Sequence, residues 1–253
     1  MTQLCRNNIK PVLADFTKLK SGEAHPGLLL TKGIVNFPEG SKVGEIKAGH
    51  IREICEIAPS AIYREAFTRW RSATKNFANT EASLVGRLYI GVTRDNALET
   101  GITVSHTYGM PMIPGSAVKG LCRAGADEWL KNEEASRYLF GNECGVSNEA
   151  ELEIGGLIFH DAWWIPDAQT KPFVPEVITV HHQAYYGSEG QQAATDFDSP
   201  IPAPQIAVQG RFYFVIEGDP AWSKLAKRLL DKGLSERGIG AKRSSGYGFF
   251  VGD

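Results

Sequence analysis

A stripe of apolar residues after a Pro-Gly turn predicts a helix in the middle of the chain. The stretch "MPMIPGSAVKGLCR" (residues 110–123) contains the turn, and Ser116 is the type of residue that caps a helix N-terminus. The apolar positions recur at the i, i+3, i+4 and i+11 spacing of one helix face: Val118, Leu121, Cys122 and Trp129. We therefore expect a helix from Ser116 to about Asn132, followed by a short helical turn around "ASRYLFG".

A second amphipathic pattern, "PSAIYREAFTRWRSATKNFAN" (residues 59–79), is strongly basic. Its apolar stripe consists of Ile62, Ala66, Trp70 and Phe77. Its charged positions are Arg64, Arg69, Arg71 and Lys75 against a lone acidic residue, Glu65. The pattern predicts a basic amphipathic helix, and a packed helix that leaves its charged face to solvent accounts for it equally.

Four apolar or alternating runs predict strands around these helices. They cover residues 83–93, 151–164, 173–182 and 205–218. Asp219 as N-cap and Pro220 at the first helical position begin a second clear helix, and the tail of the chain is a final strand. The resulting order β-α-β-β-α-β predicts an α+β fold of ferredoxin-like arrangement, with an antiparallel sheet covered by two helices.

The distribution of proline and glycine along the chain suggests a division into two parts. Residues 1–50 are irregular and rich in Pro and Gly, so we expect residues 1–82 to form an N-terminal arm and basic helix packed on the core. Residues 83–253 are then the ferredoxin-like domain. A long polar insertion at residues 183–204 interrupts this domain, and loops of that length are commonly functional.

Composition narrows the classes of function. The chain has 253 residues, 42% of them hydrophobic, and no apolar run reaches the roughly 20 residues of a membrane span. The sequence lacks a signal-peptide pattern, so we expect a cytoplasmic protein that does not associate with membranes. Its formal charge of −2 argues against indiscriminate coating of nucleic acid, so any nucleic-acid contact must be a local patch.

The cysteines give no sign of a metal or redox centre. Cys5, Cys55, Cys122 and Cys144 are widely scattered and form no C-x-x-C pair. We expect reduced, mostly structural thiols and no metal ion or cofactor.

Two cations on the predicted central helix suggest an anion site. Lys119 and Arg123 are four residues apart, so both project from one face, close to a helix N-terminus that favours anions. An ordinary surface helix with a basic face accounts for the same spacing. Gly120 favours the site slightly, because a glycine inside a helix is tolerated more easily where another backbone comes close.

The run "GIGAKRSSGYG" (residues 238–248) is the second region that suggests binding chemistry. It matches neither a P-loop nor a dinucleotide fingerprint, because Arg243 stands where a third glycine is needed and the order is helix, loop, strand. It is rich in glycine: Gly238, Gly240, Gly246 and Gly248. With Lys242 and Arg243, and Tyr247 as a ring for base stacking, the loop would suit an RNA backbone, although a flexible connector is the simpler interpretation.

Together these motifs resemble the repeat-associated mysterious protein (RAMP) superfamily of CRISPR systems. The resemblance rests on "IPGSAVKGLCR" after "SHTYGMP", on "LFG" before "GGLIFHDAWW", and on the glycine-rich run, and it covers roughly residues 84–253. More narrowly, "HHQAYYG" followed by "DFDSPIPAPQIAV" resembles the sixth Cmr-type subunits of type III-B effector complexes. Ala117 differs from the commonest sequence of this motif in the family, which frequently has a second serine at that position.

The resemblance implies an RNA-recognition-like fold and a non-catalytic subunit that binds guide CRISPR RNA. In such complexes the sixth subunit caps the filament near the 3′ end of the guide. Its partners there are target RNA and other Cmr subunits, namely the backbone RAMP subunits, the small helical subunit and the first-named subunit. The implied RNA-binding residues are His106, Ser116, Lys119, Arg123, Gly238, Gly240, Lys242, Arg243, Gly246 and Tyr247.

A catalytic function is an alternative to this RNA-binding interpretation. His160-Asp161 and His181-His182 are adjacent pairs, and alternation along a strand sends the members of each pair to opposite faces, so neither pair forms a base with its orienter. His106, next to the predicted helix, is the best lone candidate for a base. Asp196 and Asp198 resemble the cleaving aspartate of backbone subunits. A ribonuclease acting on guide precursor or target RNA is therefore the alternative, and a nucleotide-binding enzyme a weaker third.

Overall fold

The computed structural model describes most of the chain from residue 43 onward. The described residues are 2–3, 8, 11, 24–34, 36–37, 43–92, 100–142, 154–180, 182, 185, 187–188, 191–195, 198 and 200–252. The helices are α1 (Pro26–Lys32), α2 (Val43–Cys55), α3 (Ala61–Thr74), α4 (Gly115–Gly125), α5 (Glu133–Phe140) and α6 (Pro220–Glu236). The strands are β1 (Thr2–Gln3), β2 (Asn36–Phe37), β3 (Ala78–Leu84), β4 (Met112–Ile113), β5 (Ile158–Phe159), β6 (Ala162–Trp164), β7 (Phe173–Val180), β8 (Ile201–Val208), β9 (Arg211–Glu217) and β10 (Phe250–Gly252).

The main sheet is antiparallel, and β3 and β9 form its centre. Its strands lie in the order β10-β3-β9-β6-β4, with β5 also paired to β9. The central register runs from Ala78 opposite Ile216 to Ser83 opposite Arg211. The prediction of a mixed fold of helices and an antiparallel sheet is confirmed.

Helices cover both faces of this sheet. Strand β9 is buried at five consecutive positions, Phe212 to Ile216. Phe212 and Phe214 belong to the large core shared with α4 and α6, whereas Tyr213 and Val215 pack with Phe67 of α3 on the opposite face. Burial on both faces explains why this strand is a continuous apolar run rather than an alternating one.

Two adjacent tryptophans of β6 connect the layers. The ring of Trp163 stacks between those of Tyr63 and Trp70, with centroid distances of 5.9 Å to each. Trp164 points to the other face, is fully buried, and donates from Nε1 to the Gln209 carbonyl at 2.7 Å. The Tyr63 hydroxyl donates to the backbone oxygen of Trp164, which fixes α3 to the sheet.

A long hairpin leaves the main sheet. Strands β7 and β8 pair over eight positions, from Phe173 opposite Val208 to Val180 opposite Ile201. The hairpin joins the rest of the fold through the bridge between Leu88 and Val208 and through its packing on α2. The end of the predicted insertion, residues 201–204, is therefore strand.

Several predicted element bounds are wrong for identifiable reasons. The strand predicted over 205–218 is two strands, β8 and β9, because Gly210 turns the chain with φ +102° while both strands stay buried. Only the first two residues of the strand predicted over 83–93 lie in a strand, because β3 starts at Ala78 and ends before Val85, a residue 62% exposed. Residues 88 and 89 form only isolated bridges. The helix predicted over 59–79 accordingly ends at Thr74.

The buried stripe of α3 also differs from the prediction. Ile62 is 68% exposed, and the buried side chains are Tyr63, Ala66, Phe67 and Thr74. The helix is rotated because Tyr63 gains both the stack on Trp163 and a hydrogen-bond acceptor.

The remaining differences concern the helix and strand ends. Helix α4 ends at Gly125 and continues as a π-helical turn, Ala126–Leu130, before α5. In the predicted strand 151–164, residues 151–153 lie outside the described residues, and the rest contains β5 and β6, separated by His160 and Asp161. The predicted strand 173–182 ends at Val180. Residues 1–50 were expected to be irregular but include α1 and the start of α2. The division at residue 82 remains a prediction, although β3 crosses it.

We expect Gly210→Ala to lower the free energy of unfolding by about 1–3 kcal/mol, because an L side chain is strained at a positive φ. A Cβ there would also lie 2.7 Å from Nε1 of Trp164. Gly120→Ala is the matched control, because a Cβ at this helical position meets nothing within 4 Å. It should raise stability by about 0.5–1 kcal/mol. Urea unfolding followed by tryptophan fluorescence measures both, and equal effects would contradict this account.

Candidate nucleic-acid interface

Asp161, and not Ser116, caps the N-terminus of α4. The N–H of Gly115 donates to Oδ1 of Asp161 at 2.7 Å. Pro114 occupies the N-cap position without a side-chain hydrogen bond, and Ser116 is exposed in the first turn. The prediction of Ser116 as N-cap is wrong, because the N-cap position lies two residues earlier, at Pro114. The helix start packs closely on the segment before β6, since a Cβ on Gly115 would lie 2.0 Å from the Phe159 carbonyl oxygen. A carboxylate therefore already stands at the helix end that was expected to attract phosphate.

The rest of α4 agrees with its predicted pattern. Val118, Leu121 and Cys122 are buried against α6, as the apolar stripe requires. Lys119 and Arg123 are half-buried, and Gly120 between them is exposed. The helix thus presents a small residue flanked by two cations. Burial raises the pKa of the Cys122 thiol, and that of Cys55 to about 12, so both described cysteines are protonated thiols.

The glycine-rich loop is closely fastened to the core at its base. The Ala241 N–H donates to the Tyr89 carbonyl, and the Gly248 N–H donates to that of Arg87, both at 2.8 Å. A Cβ on Gly240 would lie 2.2 Å from the Tyr89 oxygen, and one on Gly248 would lie 1.9 Å from the Ile239 oxygen. With Gly238 and Gly246, which also have positive φ, these glycines allow the loop to turn back on itself.

The tip of this loop, residues 242–246, is exposed throughout. Lys242 adopts a left-handed conformation (φ +57°), and a short 3-10 turn follows over Arg243–Ser245. Arg243 Nη1 approaches the backbone oxygen of Arg237 at 3.5 Å. The tip therefore carries two cations, the hydroxyls of residues 244 and 245, and the N–H groups of a tight turn, a combination suited to a phosphate oxygen.

Tyr247 was expected to offer its ring to a base, but in this structure the ring packs on Tyr89. The two centroids are 4.7 Å apart, and the ring planes are tilted by 45°. Burial raises the pKa of the Tyr89 hydroxyl above its usual range, and the nearby Tyr247 and Glu176 add to that shift. A base could reach Tyr247 only from its half-exposed side or by displacing it from Tyr89.

His106 lies in an exposed turn that is tied to the N-terminal region. Its backbone oxygen accepts a hydrogen bond from Nε2 of His25 at 3.0 Å, while Nδ1 of His25 accepts from the N–H of Leu28. These two bonds assign the proton of neutral His25 to Nε2. The side chain of Tyr108 in the same turn packs on Tyr63 and Trp163.

The structure shows two histidine–carboxylate pairs that sequence reasoning missed. His160 Nε2 lies 2.9 Å from Glu217 Oε2, and His182 Nδ1 lies 2.9 Å from Asp198 Oδ2. Hydrogen bonds from His182 and Thr195 hold the pKa of Asp198 below its usual range. No spacing in the sequence indicates the first pair, which depends on the pairing of β5 with β9. His181 and Asp196 lie outside the described residues.

The two predicted cation pairs belong to α4 and to the loop that follows α6. Helix α4 packs on α6, and the glycine-rich loop follows the C-terminal end of α6. There Arg237 forms an ion pair with Glu128 of the π-helical turn, 2.5 Å between Nη1 and Oε2. The start of α4, however, contacts Phe159 and Asp161, whereas the loop contacts Arg87 and Tyr89. A single phosphate-binding surface of Lys119, Arg123, Lys242 and Arg243 remains a prediction.

Among the described residues, no group of three or more His, Cys, Asp or Glu side chains is arranged to hold a metal ion. None of the described helices is both long and apolar enough to cross a membrane.

Comparison with known proteins places these features in a family context. The sequence profile of the RAMP superfamily matches residues 81–251. The CRISPR system CMR subunit Cmr6 of Saccharolobus solfataricus is 28% identical over 272 residues, 99% of this chain and 87% of that protein. The corresponding Cmr6 of Pyrococcus furiosus is 28% identical over 65% of each chain. A chain in the cryo-EM structure of the type III-B Cmr-beta complex bound to cognate target RNA matches with a TM-score of 0.65 and 22% identity, covering 98% of this chain and 92% of that one.

Asp161→Ala should lower the free energy of unfolding by about 1 kcal/mol, because the Gly115 N–H loses its acceptor. Asp161→Asn should retain most of the stability, since the amide oxygen still accepts this bond. Thermal unfolding monitored by circular dichroism distinguishes the two variants. If both variants matched the wild type, Asp161 would not be the cap of α4.

Proposed function

Since this chain belongs to the RAMP superfamily, we propose that it is a non-catalytic, RNA-binding subunit of a type III-B CRISPR effector complex. In this proposal it caps the filament near the 3′ end of the guide RNA. Two relatives that are Cmr6 subunits, one matching nearly the whole chain, support the assignment. Its partners are then guide RNA, target RNA and other Cmr subunits.

The strand order supports a ferredoxin-like unit inside the fold. In chain order its four strands are β3, the β5–β6 segment, β9 and β10, and they lie side by side as fourth, first, third and second. Helix α4 connects the first strand to the second, and α6 connects the third to the fourth. Each helix therefore links two strands separated by a strand of the other half, which is the split β-α-β arrangement.

Because helices cover the faces of the sheet, we expect RNA to contact the loops instead. RNA-recognition sheets stack bases on aromatic residues of an open face. Here α3 covers that face, and Tyr213, the central aromatic residue on it, is 2% exposed. A base therefore cannot stack on the middle of this sheet, and RNA contacts are expected from the loops and helix ends.

The exposed tip of the glycine-rich loop is the observation that carries the proposal. Its base is fastened to Arg87 and Tyr89 by backbone hydrogen bonds, so the tip is held in place before any ligand binds. Among the described residues no carboxylate forms an ion pair with Lys242 or Arg243, unlike Arg237, which is paired with Glu128. Two preorganised cations without acidic partners attract a phosphate backbone even in a chain of net charge −2.

A ribonuclease acting on guide precursor or target RNA is the alternative function. The observation in its favour is that Glu217 and Asp198 orient His160 and His182, as a general base requires. Both pairs are partly accessible, with His160 25% and His182 37% exposed. The non-catalytic proposal assigns both pairs structural roles, of which the contact between His160 and Glu217 links the β5–β6 segment to β9.

Reversing both charges at the tip, Lys242→Glu with Arg243→Glu, should weaken binding to guides of any sequence about equally. Each lost phosphate contact lowers the salt slope for single strands by about 0.7. Fluorescence anisotropy with two unrelated guides at several salt concentrations measures both quantities. A loss of affinity confined to one guide would indicate sequence-specific recognition of bases instead.

The matched control is Arg69→Glu with Lys75→Glu, which reverses two exposed cations, one on α3 and one at its C-cap, on the sheet face opposite α4 and α6. This control variant has the same net charge as the tip variant. It should bind guides much more tightly than the tip variant does. Equal losses in the two variants would show a general charge effect and would overturn the assignment of the tip as the phosphate site.

Single alanine substitutions at His106, His160, His182, Asp161, Asp196 and Asp198 should leave target cleavage by the assembled complex unchanged. The reason is that the proposal gives these side chains structural or RNA-binding roles rather than catalytic ones. Cleavage is measured under single-turnover conditions, and guide and target binding are measured in parallel. A variant that binds both RNAs normally but no longer cleaves would support the ribonuclease alternative.

A further inference from the structure

Two buried polar atoms beneath the glycine-rich loop lack well-formed hydrogen bonds. Tyr89 is 1% exposed and Gln205 is 7% exposed. Among the described residues, Oε1 of Gln205 has no hydrogen-bond partner, and the Tyr89 hydroxyl forms no hydrogen bond of good geometry, although the Tyr247 side chain lies beside it. Native proteins pair nearly all such atoms, so an unpaired pair beside a candidate binding loop requires an explanation.

Strand register places these two residues on one face. The bridge between Leu88 and Val208 sets Tyr89 opposite Ala207, and Gln205 lies two residues further along β8 on the same side. Glu176 of β7 pairs directly with Gln205, so its carboxylate stands on that side too. The ring of Tyr247 packs over this face beside Tyr89.

We propose that this face, formed by Tyr89, Glu176, Gln205 and Tyr247 and here called the base-edge site, binds one unpaired nucleobase, with guanine the best fit. Glu176 and Gln205 present neighbouring acceptor oxygens. Guanine offers two adjacent donors on its Watson–Crick edge, N1–H and the N2 amino group, whereas uracil offers a single N–H between two carbonyl oxygens. The Tyr247 ring supplies the stacking surface. The proposal rests on the RNA-binding function proposed above and names which base the loop would read.

The position of Tyr247 explains how a base would enter. Its ring closes the face over Tyr89, but it follows directly on the exposed tip at residues 242–246. A nucleotide whose phosphate is held by Lys242 or Arg243 would bring its base to this ring. When the Tyr247 ring turns off Tyr89, a base stacked on Tyr247 sets its edge against the Tyr89 hydroxyl and Oε1 of Gln205 and supplies the missing partners. The unpaired atoms of the free chain then become hydrogen-bonded in the complex.

Binding of GMP, CMP, AMP and UMP to the full chain, measured by calorimetry, tests the proposal. GMP should bind at least about tenfold tighter than UMP, since a hydrogen bond to a charged group contributes about a factor of ten or more. Glu176→Gln should abolish this preference. Tyr89→Phe should leave the melting temperature unchanged or higher, because it removes an unpaired hydroxyl, and yet weaken GMP binding about threefold to tenfold.

Tyr138→Phe is the control for the loss of a hydroxyl, because this tyrosine is exposed and lies on α5, outside the site. It should bind all four nucleotides as the wild type does. Equal affinity for the four nucleotides, no binding of any of them, or a preference that survives Glu176→Gln and Tyr89→Phe would overturn the base-edge site. Those outcomes leave the proposed function standing, because it is judged separately by the guide affinity and salt slope of the tip variant.

Discussion

The opposite orientation of two neighbouring tryptophans on β6 is the constraint on which the layered structure depends. Successive side chains of a strand point to opposite faces, so Trp163 meets α3 while Trp164 enters the core beneath α4 and α6. Stacking on Tyr63 and Trp70 fixes the first layer. The hydrogen bond from Trp164 to the Gln209 carbonyl fixes the link between hairpin and sheet. One dipeptide thereby holds three layers together.

Covering both sheet faces has a direct consequence for binding. An RNA-recognition-like sheet with an open face reads bases on its strands, but this sheet has no open central face among its described strands. We therefore expect RNA to be recognised by segments that lie outside the sheet. The glycine-rich loop at residues 238–248 is such a segment, and its glycines serve first to fasten it against Tyr89 and only then to shape its exposed tip.

Ion pairing distinguishes the cations that have an acidic partner from those at the tip of the glycine-rich loop. Arg71 and Arg211 share the carboxylate of Glu81, and Arg237 is paired with Glu128. Surface pairs of this kind contribute little stability, but they cancel the local field that would attract a phosphate. The cations of the loop tip have no such acidic partner among the described residues. A chain of slightly negative net charge can in this way keep a confined positive surface.

The sequence by itself determined the strongly periodic helices α3, α4 and α6, the apolar stripe of α4 and the family resemblance, because periodicity and turn residues are local properties of the chain. It did not determine where strand 205–218 divides, since both strands at Gly210 are buried and equally apolar. It also could not place Asp161 at the end of α4, because that cap comes from a segment 46 residues away. The partner of His160 and the common face of Tyr89 and Gln205 depend on strand register. Register is decided by packing of the whole sheet, so only the tertiary structure could set these contacts.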